Sequence, residues 1–207
     1  MIKEKEIIIV GAGGHARVVI EIANLLGYVV KGIIDLNFDG QSEIILGVNV
    51  IGGVDKLKNI SKDTNIAIAI GDNKIRSKYV LALKKEGFSL PVLIHPAAIV
   101  SKTSVIGNGS LICAGVIITT EVKIGIGSIV NTGSIIDHES EIHDFVHVAP
   151  GVCIAGRTKI GRFTFIGIGS SIIDKIEIDE NVSIGAGSTI VKNIPSNSKV
   201  VGVSKLI

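Results

Sequence analysis

A six-residue repeat occupies the second half of this chain. From Ile94 to Ile190 every sixth residue is isoleucine or valine, which gives 17 consecutive matches without an insertion. This stretch contains 31 isoleucine and valine residues, so an even spread would place about five of them in any one register. A fixed short period is typical of stacked repeat architectures, in which each unit packs only against its neighbours. We therefore expect the second half to form a column of stacked short strands.

Each six-residue unit is expected to contain one strand and one corner. The β-branched residue points into the column, and stacked strands satisfy one another's backbone hydrogen bonds. Four positions later the side chain is usually small, as at Ser128 and Thr158, which suits a crowded corner. Glycine often follows the apolar residue, as at Gly125 and Gly167, and we interpret these glycines as turns with unusual dihedral angles. The period is lost at Pro195, where we expect the column to end.

Known hexapeptide β-helices place three such units in one triangular coil. The repeat would then make about six coils with a height of about 27 Å, because stacked strands lie roughly 4.8 Å apart. Periodicity alone does not determine the winding hand of the coil.

The part of the chain that precedes the repeat has the pattern of a small α/β domain. The segment IIIVGAGGHARVVIEIANLLGYVVKGIIDL predicts a strand, a glycine turn, a helix and a second strand. A third strand, NIAIAIGDN, and a second helix, KIRSKYVLALKKEG, follow. We expect a Rossmann-like βαβαβ domain in residues 1–92 and an all-β column in residues 93–207. The apolar face of the first helix is predicted to contain Val18, Val19, Ile22, Leu25 and Leu26.

The turn after the first strand is a candidate ligand site. Gly11, Gly13 and Ala16 fit the relaxed G-x-G-x-x-G/A pattern, while Asp35 and Gly71 follow the second and third strands. Open α/β sheets bind ligands at this carboxyl edge, where N–H groups at a helix start can hold a diphosphate. The glycines could instead serve only a tight turn. The domain is too short for the paired crevice of an NAD-binding fold, so we favour a nucleotide or phosphate.

His15 and Asp72 lie in the same region. The His15 ring either donates a hydrogen bond to the ligand or faces water at the strand end, and the sequence leaves both alternatives open. Asp72 follows Gly71 at the carboxyl edge.

Charge and hydropathy exclude several classes of partner. The 21 basic and 19 acidic residues are scattered, so nucleic acid is not expected to bind. No apolar run approaches the length of a membrane span, and MIKEKEIIIVGAGG is typical of a buried strand rather than a signal peptide. We expect a cytoplasmic protein. Cys113 and Cys153 have no paired spacing and are interpreted as reduced, small apolar residues.

Three histidines lie in VNTGSIIDHESEIHDFVHVAPGVCIAG, residues 130–156, and none occupies the inward apolar position. A solvated face is one interpretation. For His138, flanked by Asp137 and Glu139, general-base catalysis fits better, because a carboxylate bonded to imidazole holds its tautomer and raises its basicity. An incoming amine or hydroxyl could then attack a bound thioester, which His147 could face.

A metal site is the third hypothesis for these histidines. The β-helix carbonic anhydrases assemble three histidines across the subunits of a trimer, and His138 and His143 are closely spaced here. The position that would supply the third ligand, two coils earlier, is Lys102. Since a cation opposes metal binding, we expect no metal.

Several motifs together resemble one family. The stretches GAGGHARVV, AIGDNKIR, LIHPAAIV, NTGSIIDHESEI and FVHVAPG with the following IAG are similar to those of bacterial sugar acyltransferases. These enzymes join a Rossmann-like nucleotide-sugar domain to a left-handed β-helix. They include N-acetyltransferases of 4-amino-4,6-dideoxy nucleotide sugars, as in bacillosamine synthesis, and sialic acid O-acetyltransferases. The resemblance covers residues 6–203.

The resemblance implies a homotrimer that binds acetyl-CoA between neighbouring columns and presents a nucleotide-linked amino sugar from the first domain. His138 would accept the proton of the sugar amine, and Glu139 would increase its basicity. The residues implied to contact acetyl-CoA are His147, Ile168 and Ala186. Those implied to contact the nucleotide sugar are Gly13, Gly14, His15, Asp35, Leu36 and Gly71.

Two departures from the family pattern bear on the acetyl-CoA site. Ser204 stands where proline is usual in the closing motif, and Ala186 stands where some members have glycine. Besides N-acetylation of a nucleotide-linked 4-amino sugar, the same residues are compatible with O-acetylation of sialic acid or a related sugar. A trimer that binds the sugar nucleotide without turnover is a third possibility.

Overall fold

The structure is a computed structural model that describes residues 4–204. The chain divides into two compact units between Pro96 and Ala97. The boundary that we place after residue 92 from the sequence stays a prediction.

The first unit is a five-stranded sheet with two α-helices. The sheet order is β3-β4-β2-β1-β5, and all pairs except β3 with β4 are parallel. Its strands and helices are β1 (Lys5–Val10), α1 (Gly14–Leu25), β2 (Tyr28–Ile34), β3 (Ile44–Ile45), β4 (Val48–Gly52), a 3-10 helix (Val54–Asn59), β5 (Asn65–Ile68) and α2 (Asn73–Lys85).

Helix α1 buries part of the face that we predict: Val19 and Ile22 are each 1% exposed. Ala16, Ile20 and Ala23 are buried beside them, whereas Val18 and Leu26 are only half-buried and Leu25 is 53% exposed. The buried face is therefore rotated towards the small residues Ala16 and Ala23, and Leu25 lies outside it.

The hairpin of β3 and β4 has no counterpart in our sequence analysis. Its two-residue turn consists of Leu46 and Gly47, with φ angles of 48° and 80°. These angles fit a type I′ turn, which usually contains asparagine, aspartate or glycine. Because leucine is rare in such a turn, the sequence gives little signal for it.

The second unit is a column of short parallel strands. Within the described residues, eighteen two-residue strands follow α2; β6 lies before the unit boundary, and the other seventeen form the column. Each of our 17 predicted positions is the second residue of one of the eighteen strands. From Ile112 to Ile190 the predicted inward residues are at most 3% exposed. The strands are β6 (Leu93–Ile94), β7 (Ile99–Val100), β8 (Val105–Ile106), β9 (Leu111–Ile112), β10 (Ile117–Ile118), β11 (Lys123–Ile124), β12 (Ile129–Val130), β13 (Ile135–Ile136), β14 (Glu141–Ile142), β15 (His147–Val148), β16 (Cys153–Ile154), β17 (Lys159–Ile160), β18 (Phe165–Ile166), β19 (Ser171–Ile172), β20 (Glu177–Ile178), β21 (Ser183–Ile184), β22 (Thr189–Ile190) and β23 (Lys199–Val200).

The column has three faces. We name them the isoleucine face (β7, β10, β13, β16, β19 and β22), the lysine-glutamate face (β8, β11, β14, β17 and β20) and the His147 face (β9, β12, β15, β18, β21 and β23). Successive coils are 18 residues apart, so Ile117 pairs with Ile135. On the lysine-glutamate face Lys123 and Lys159 form ion pairs with Glu141 and Glu177 at 2.9 and 2.7 Å.

Buried hydroxyls bind the coils together at the corners. Ser128 Oγ donates to the carbonyl of His143 at 2.9 Å and accepts from the N–H of Val146 at 3.1 Å. The small side chains therefore satisfy backbone groups of the adjacent coil, besides fitting a crowded corner.

The glycines that follow the apolar positions have another cause than the one we infer from the sequence. Gly125 and Gly167 do not have left-handed φ angles. A Cβ on Gly167 would instead lie 2.6 Å from Ala186 N in the next coil. The left-handed residues come two positions later, at Gly127 and Gly169, with φ near 60°.

The column does not end at Pro195. Ile194 bridges Ile178, and β23 pairs with β21. Because Ile194 follows Ile190 after four residues instead of six, the period is broken although the coil continues.

Two further predictions concern the whole chain. Among residues 4–204, no helix is long and apolar enough to cross a membrane. Both cysteines are unpaired, Cys113 being buried and Cys153 exposed, so only Cys113 fits the interpretation as a small core residue.

Candidate active site

His138 lies at the corner between the isoleucine and lysine-glutamate faces, two residues after the end of β13. Its Nδ1 is 3.0 Å from Oε2 of Glu139, and both side chains are roughly half exposed. Glu139 has a φ of 58°, the left-handed conformation of the coil corners. This conformation lets the carboxylate turn back onto the imidazole that precedes it.

Arg157, one coil later, binds the same carboxylate. Its Nε donates to Glu139 Oε2 at 2.8 Å. The hydrogen bonds from His138 and then Arg157 lower the pKa of Glu139 below its ordinary value. Glu139 therefore stays ionised near neutral pH and accepts from both neighbours. It follows that Nδ1 of a neutral His138 carries the proton, so Nε2 keeps its lone pair.

The other carboxylate beside His138 has a backbone role. Asp137 Oδ1 accepts from the N–H of His138 at 2.8 Å and from the hydroxyl of Thr119 at 3.0 Å. These two hydrogen bonds lower the pKa of Asp137. Of the two acidic neighbours, Glu139 is thus the one that orients the imidazole.

His147 lies in β15 on its own face of the column. Its ring meets Phe165 edge to face, with centroids 5.3 Å apart. The side-chain amide nitrogen of Asn131 is 3.4 Å from His147 Nε2. The ring is half-buried and fixed by neighbours from two adjacent coils.

Ile168 and Ala186 lie one above the other at the corner between the His147 and isoleucine faces. The N–H of Gly187 donates to the carbonyl of Ile168 at 2.8 Å. Ile168 is 59% exposed, and Ala186 is also exposed. Together they give this corner a small apolar surface.

One chain does not bring all these residues together. The isoleucine face separates the His138–Glu139 corner from the corner that holds Ile168 and Ala186, which adjoins His147. The predicted base and the predicted acetyl-CoA contacts therefore lie at opposite edges of one face.

His143 belongs to neither corner group. It lines a groove of about 450 Å³ that also contains Lys159, Arg162, Glu177 and Asp179. Among residues 4–204, no group of three His, Cys, Asp or Glu side chains is placed to hold a metal ion.

The glycine turn of the first unit has an open surface. Gly13 is the N-cap of α1 with a φ of −71°, and a Cβ on Gly13 or Gly14 would meet no atom within 4 Å. Gly11 has a φ of 110°, a backbone conformation that favours glycine. A Cβ added to Gly11 would also lie 2.8 Å from the carbonyl oxygen of Ala69. The start of α1 can thus be approached closely by a ligand.

The other predicted contacts follow the ends of parallel strands. Asp35 and Leu36 come directly after β2, and Gly71 follows β5. The N–H of Asp35 donates to Gly52 at 3.0 Å, and its carboxylate accepts from the N–H of Asn37 at 3.3 Å. These residues and Gly13 occupy one carboxyl edge, as predicted for parallel strands.

His15 is a neutral imidazole. Burial, followed by the charge of Arg76, lowers the pKa of His15 to about 4. Near neutral pH it offers one donor and one acceptor rather than a positive charge.

Arg76 is a residue of this edge that our sequence analysis misses. It is 1% exposed, and it donates to the carbonyls of Ile70 and Gly71 at 3.1 and 2.8 Å and to Asn73 Oδ1 at 2.8 Å. Burial lowers the pKa of Arg76 to about 10, so the guanidinium remains charged. An arginine among lysines in a helical pattern predicts a solvated residue, and only the fold shows otherwise.

Comparisons with known proteins agree with this architecture. Residues 6–83 match the family described as PglD N-terminal domain, and residues 157–192 match bacterial transferase hexapeptide (six repeats). The chain is 36% identical to the acetyltransferase domain of PglB from Neisseria gonorrhoeae FA1090, with a TM-score of 0.90 over 96% of this chain and 97% of that one. The chain belongs to the PglD-type sugar acyltransferases. This membership confirms the predicted fold class, a Rossmann-like domain followed by a left-handed β-helix.

Two further relatives are named as N-acetyltransferases. A variant of perosamine N-acetyltransferase from Caulobacter crescentus, in complex with CoA and GDP-perosamine, is 33% identical, with a TM-score of 0.90 over 98% of this chain and 95% of that one. The UDP-N-acetylbacillosamine N-acetyltransferase of Bacillus subtilis (strain 168) is 36% identical over 116 residues, which is 53% of this chain. That match spans about half, 52%, of the curated relative's length.

Proposed function

We propose that this protein is an acetyl-CoA-dependent N-acetyltransferase that acts on the 4-amino group of a nucleotide-linked 4-amino-4,6-dideoxy sugar in surface-glycan biosynthesis. The observation that carries the proposal is the His138–Glu139 pair, whose hydrogen bond leaves Nε2 as the basic atom. The relatives that are most fully covered include an enzyme solved with CoA and GDP-perosamine, which supports the choice of an amino sugar over an alcohol.

The chemistry requires one base. As the sugar amine attacks the thioester carbonyl, Nε2 of His138 takes the proton that the nitrogen loses, and the carboxylate of Glu139 stabilises the resulting imidazolium. The new C–N bond forms, the C–S bond breaks, and the proton passes to the departing thiolate. The products are an amide and free CoA.

We place acetyl-CoA against His147, Ile168 and Ala186 of a neighbouring chain. These residues and His138 lie at opposite edges of the isoleucine face, so a complete site needs two columns side by side. The outward residues of that face are apolar near one end, Ile99 being 67% exposed. We therefore propose a homotrimer, which closes such a contact into a ring.

The nucleotide sugar is assigned to the first unit. Its diphosphate would lie over Gly13 and Gly14, where the open helix start offers backbone N–H groups. The remaining proposed contacts are His15, Asp35, Leu36 and Gly71. A cytoplasmic location follows from the use of acetyl-CoA and is part of the proposal.

The test is thiol release from acetyl-CoA with a panel of nucleotide 4-amino sugars, and with sialic acid as the alternative acceptor. We expect turnover with an amino sugar, and a loss of about 100-fold or more in the His138→Ala variant. His143→Ala, which removes a histidine outside the proposed site, should keep the wild-type rate. Release with sialic acid alone would favour O-acetylation, and no release with any acceptor would favour a binding protein.

A further inference from the structure

The corner that follows β16 is packed against the proposed base. Gly156 and Arg157 occupy the same places in their coil as His138 and Glu139 do in the preceding one, 18 residues earlier. The N–H of Arg157 donates to the carbonyl of His138 at 2.8 Å. The two corners are therefore held in register by backbone as well as by side chains.

Gly156 lies beneath the imidazole. A Cβ on Gly156 would lie 2.6 Å from both Nε2 and Cε1 of His138, and 3.0 Å from Cδ2. The three atoms nearest to such a Cβ all belong to this ring, whereas at Gly125 and Gly167 they include backbone atoms of the next coil. A methyl group there would displace the ring and cover Nε2, the atom that has the lone pair.

The backbone does not explain this glycine. Gly156 has no left-handed φ angle, and the equivalent positions of other coils carry the side chains of Thr120, Asp174 and Lys192. The fold therefore accepts a side chain at this place in the coil. The contact with His138 is what excludes one at residue 156.

Arg157 holds the other end of the pair. Its Nε and His138 Nδ1 share one oxygen of Glu139, at 2.8 and 3.0 Å. A carboxylate bound from two sides loses the freedom to swing into solvent, so the imidazole that it orients is also fixed.

We propose that Gly156 and Arg157 are positioning residues for His138. Gly156 leaves the space in which the ring lies and keeps Nε2 uncovered, while Arg157 fixes the carboxylate that sets the tautomer. Both act through His138, and the inference rests on the proposed function only in taking His138 as the base.

The first test is Gly156→Ala. We expect kcat to fall about 100-fold while KM for both substrates and Tm stay near wild type, because the three atoms nearest to the added methyl group belong to a side-chain ring that can move. Asp174→Ala, at the equivalent position one coil later, is the matched control and should keep the wild-type kcat. A Gly156→Ala enzyme with wild-type kcat would overturn the role of Gly156.

Arg157 is tested by Arg157→Gln and Arg157→Lys. We expect the glutamine variant to lose about tenfold in kcat at unchanged KM, and lysine, which can still donate to Glu139, to recover part of it. Lys175→Gln changes the equivalent corner residue one coil later and should have no effect. Equal rates for Arg157→Gln and wild type would refute the positioning role.

A measurement without turnover separates this inference from the proposed function. In protein with 15N-labelled histidine, the signals absent from His138→Ala identify the His138 nitrogens. We expect the Nδ1–H tautomer in wild type and a changed spectrum in Gly156→Ala. If the wild type acetylates no acceptor, the proposed function fails, but these spectra still show whether Gly156 positions the His138 ring. Identical spectra for the wild type and Gly156→Ala would refute the inference even in an active enzyme.

Discussion

Two histidines of this protein lie in contrasting surroundings. His138 is roughly half exposed beside a carboxylate, whereas burial and a nearby guanidinium lower the pKa of His15 to about 4. The first environment favours a group that takes up a proton during a reaction. The second favours a neutral group that recognises a ligand through hydrogen bonds.

The carboxylate partner of His138 is tested by Glu139→Gln. The amide can still accept from Nδ1 but has no charge to stabilise the imidazolium, so we expect kcat to fall roughly 10- to 100-fold. Steady-state thiol release measures this, with Glu141→Gln on the lysine-glutamate face as the control. A raised KM for the nucleotide sugar with an unchanged kcat would contradict the assigned role.

His15 predicts a dependence of stability on pH. The unfolded chain takes up a proton at this residue near pH 6.5, whereas the folded chain does so only near pH 4. Its contribution to stability is therefore complete above pH 6.5 and is lost as the pH falls towards 4. At pH 5 the loss is about 2 kcal/mol, or several degrees in Tm.

The check compares thermal unfolding of wild type and His15→Gln at pH 7.5 and pH 5. We expect the wild type to lose several degrees more than the variant on acidification. Equal losses in the two proteins would show that His15 titrates alike in the folded and unfolded chain.

Adjacent residues were easier to predict than residues that meet through the fold. His138 and Glu139 are neighbours in the chain, so their hydrogen bond could be expected from the sequence. Arg157 and Gly156 reach the same place only because one coil takes 18 residues, and Arg76 is buried only because α2 packs on the sheet. The sequence gives no sign of these contacts until the coil and the sheet are built.

The strands and corners show how far a periodic pattern can be interpreted. The inward positions were predictable because burial of a β-branched residue repeats every six positions. The reason for the glycines after them was not, since it depends on the distance between successive coils. The hairpin was missed because Leu46, the first residue of its turn, is not one of the usual residues there.

The steric explanation of these glycines is tested by Gly125→Ala. An added Cβ would lie 2.5 Å from the backbone nitrogen of Asp144, so we expect a destabilisation of about 1–3 kcal/mol and a lower Tm. Gly14→Ala, where the same atom meets open space, is the control. If both variants had the Tm of the wild type, the coils would have to be more widely spaced than they are in this structure.

At the scale of the whole molecule, the two groups of proposed catalytic and cofactor residues lie at different corners. A site shared between chains predicts complementation between two inactive variants, His138→Ala and Ile168→Arg. In a randomly mixed trimer each mixed assembly has one intact site of three, so about a quarter of wild-type activity should return.

This measurement uses the two variants unfolded and refolded together, each alone being inactive. Mass spectrometry of the assemblies confirms that mixing has occurred. Mixed trimers without any thiol release would place His138 and Ile168 in the same site of one chain, or in none.

The unbroken spacing of the column also limits how such a protein can change in length. An insertion of one residue within residues 94–190 would turn every later isoleucine away from the interior, whereas an insertion of one complete turn would only lengthen the prism. The column of this protein can thus be lengthened or shortened only by complete coils of 18 residues. A redesigned version could therefore gain a complete coil after residue 175 while the coil that contains Gly156 and Arg157 keeps its place beside His138.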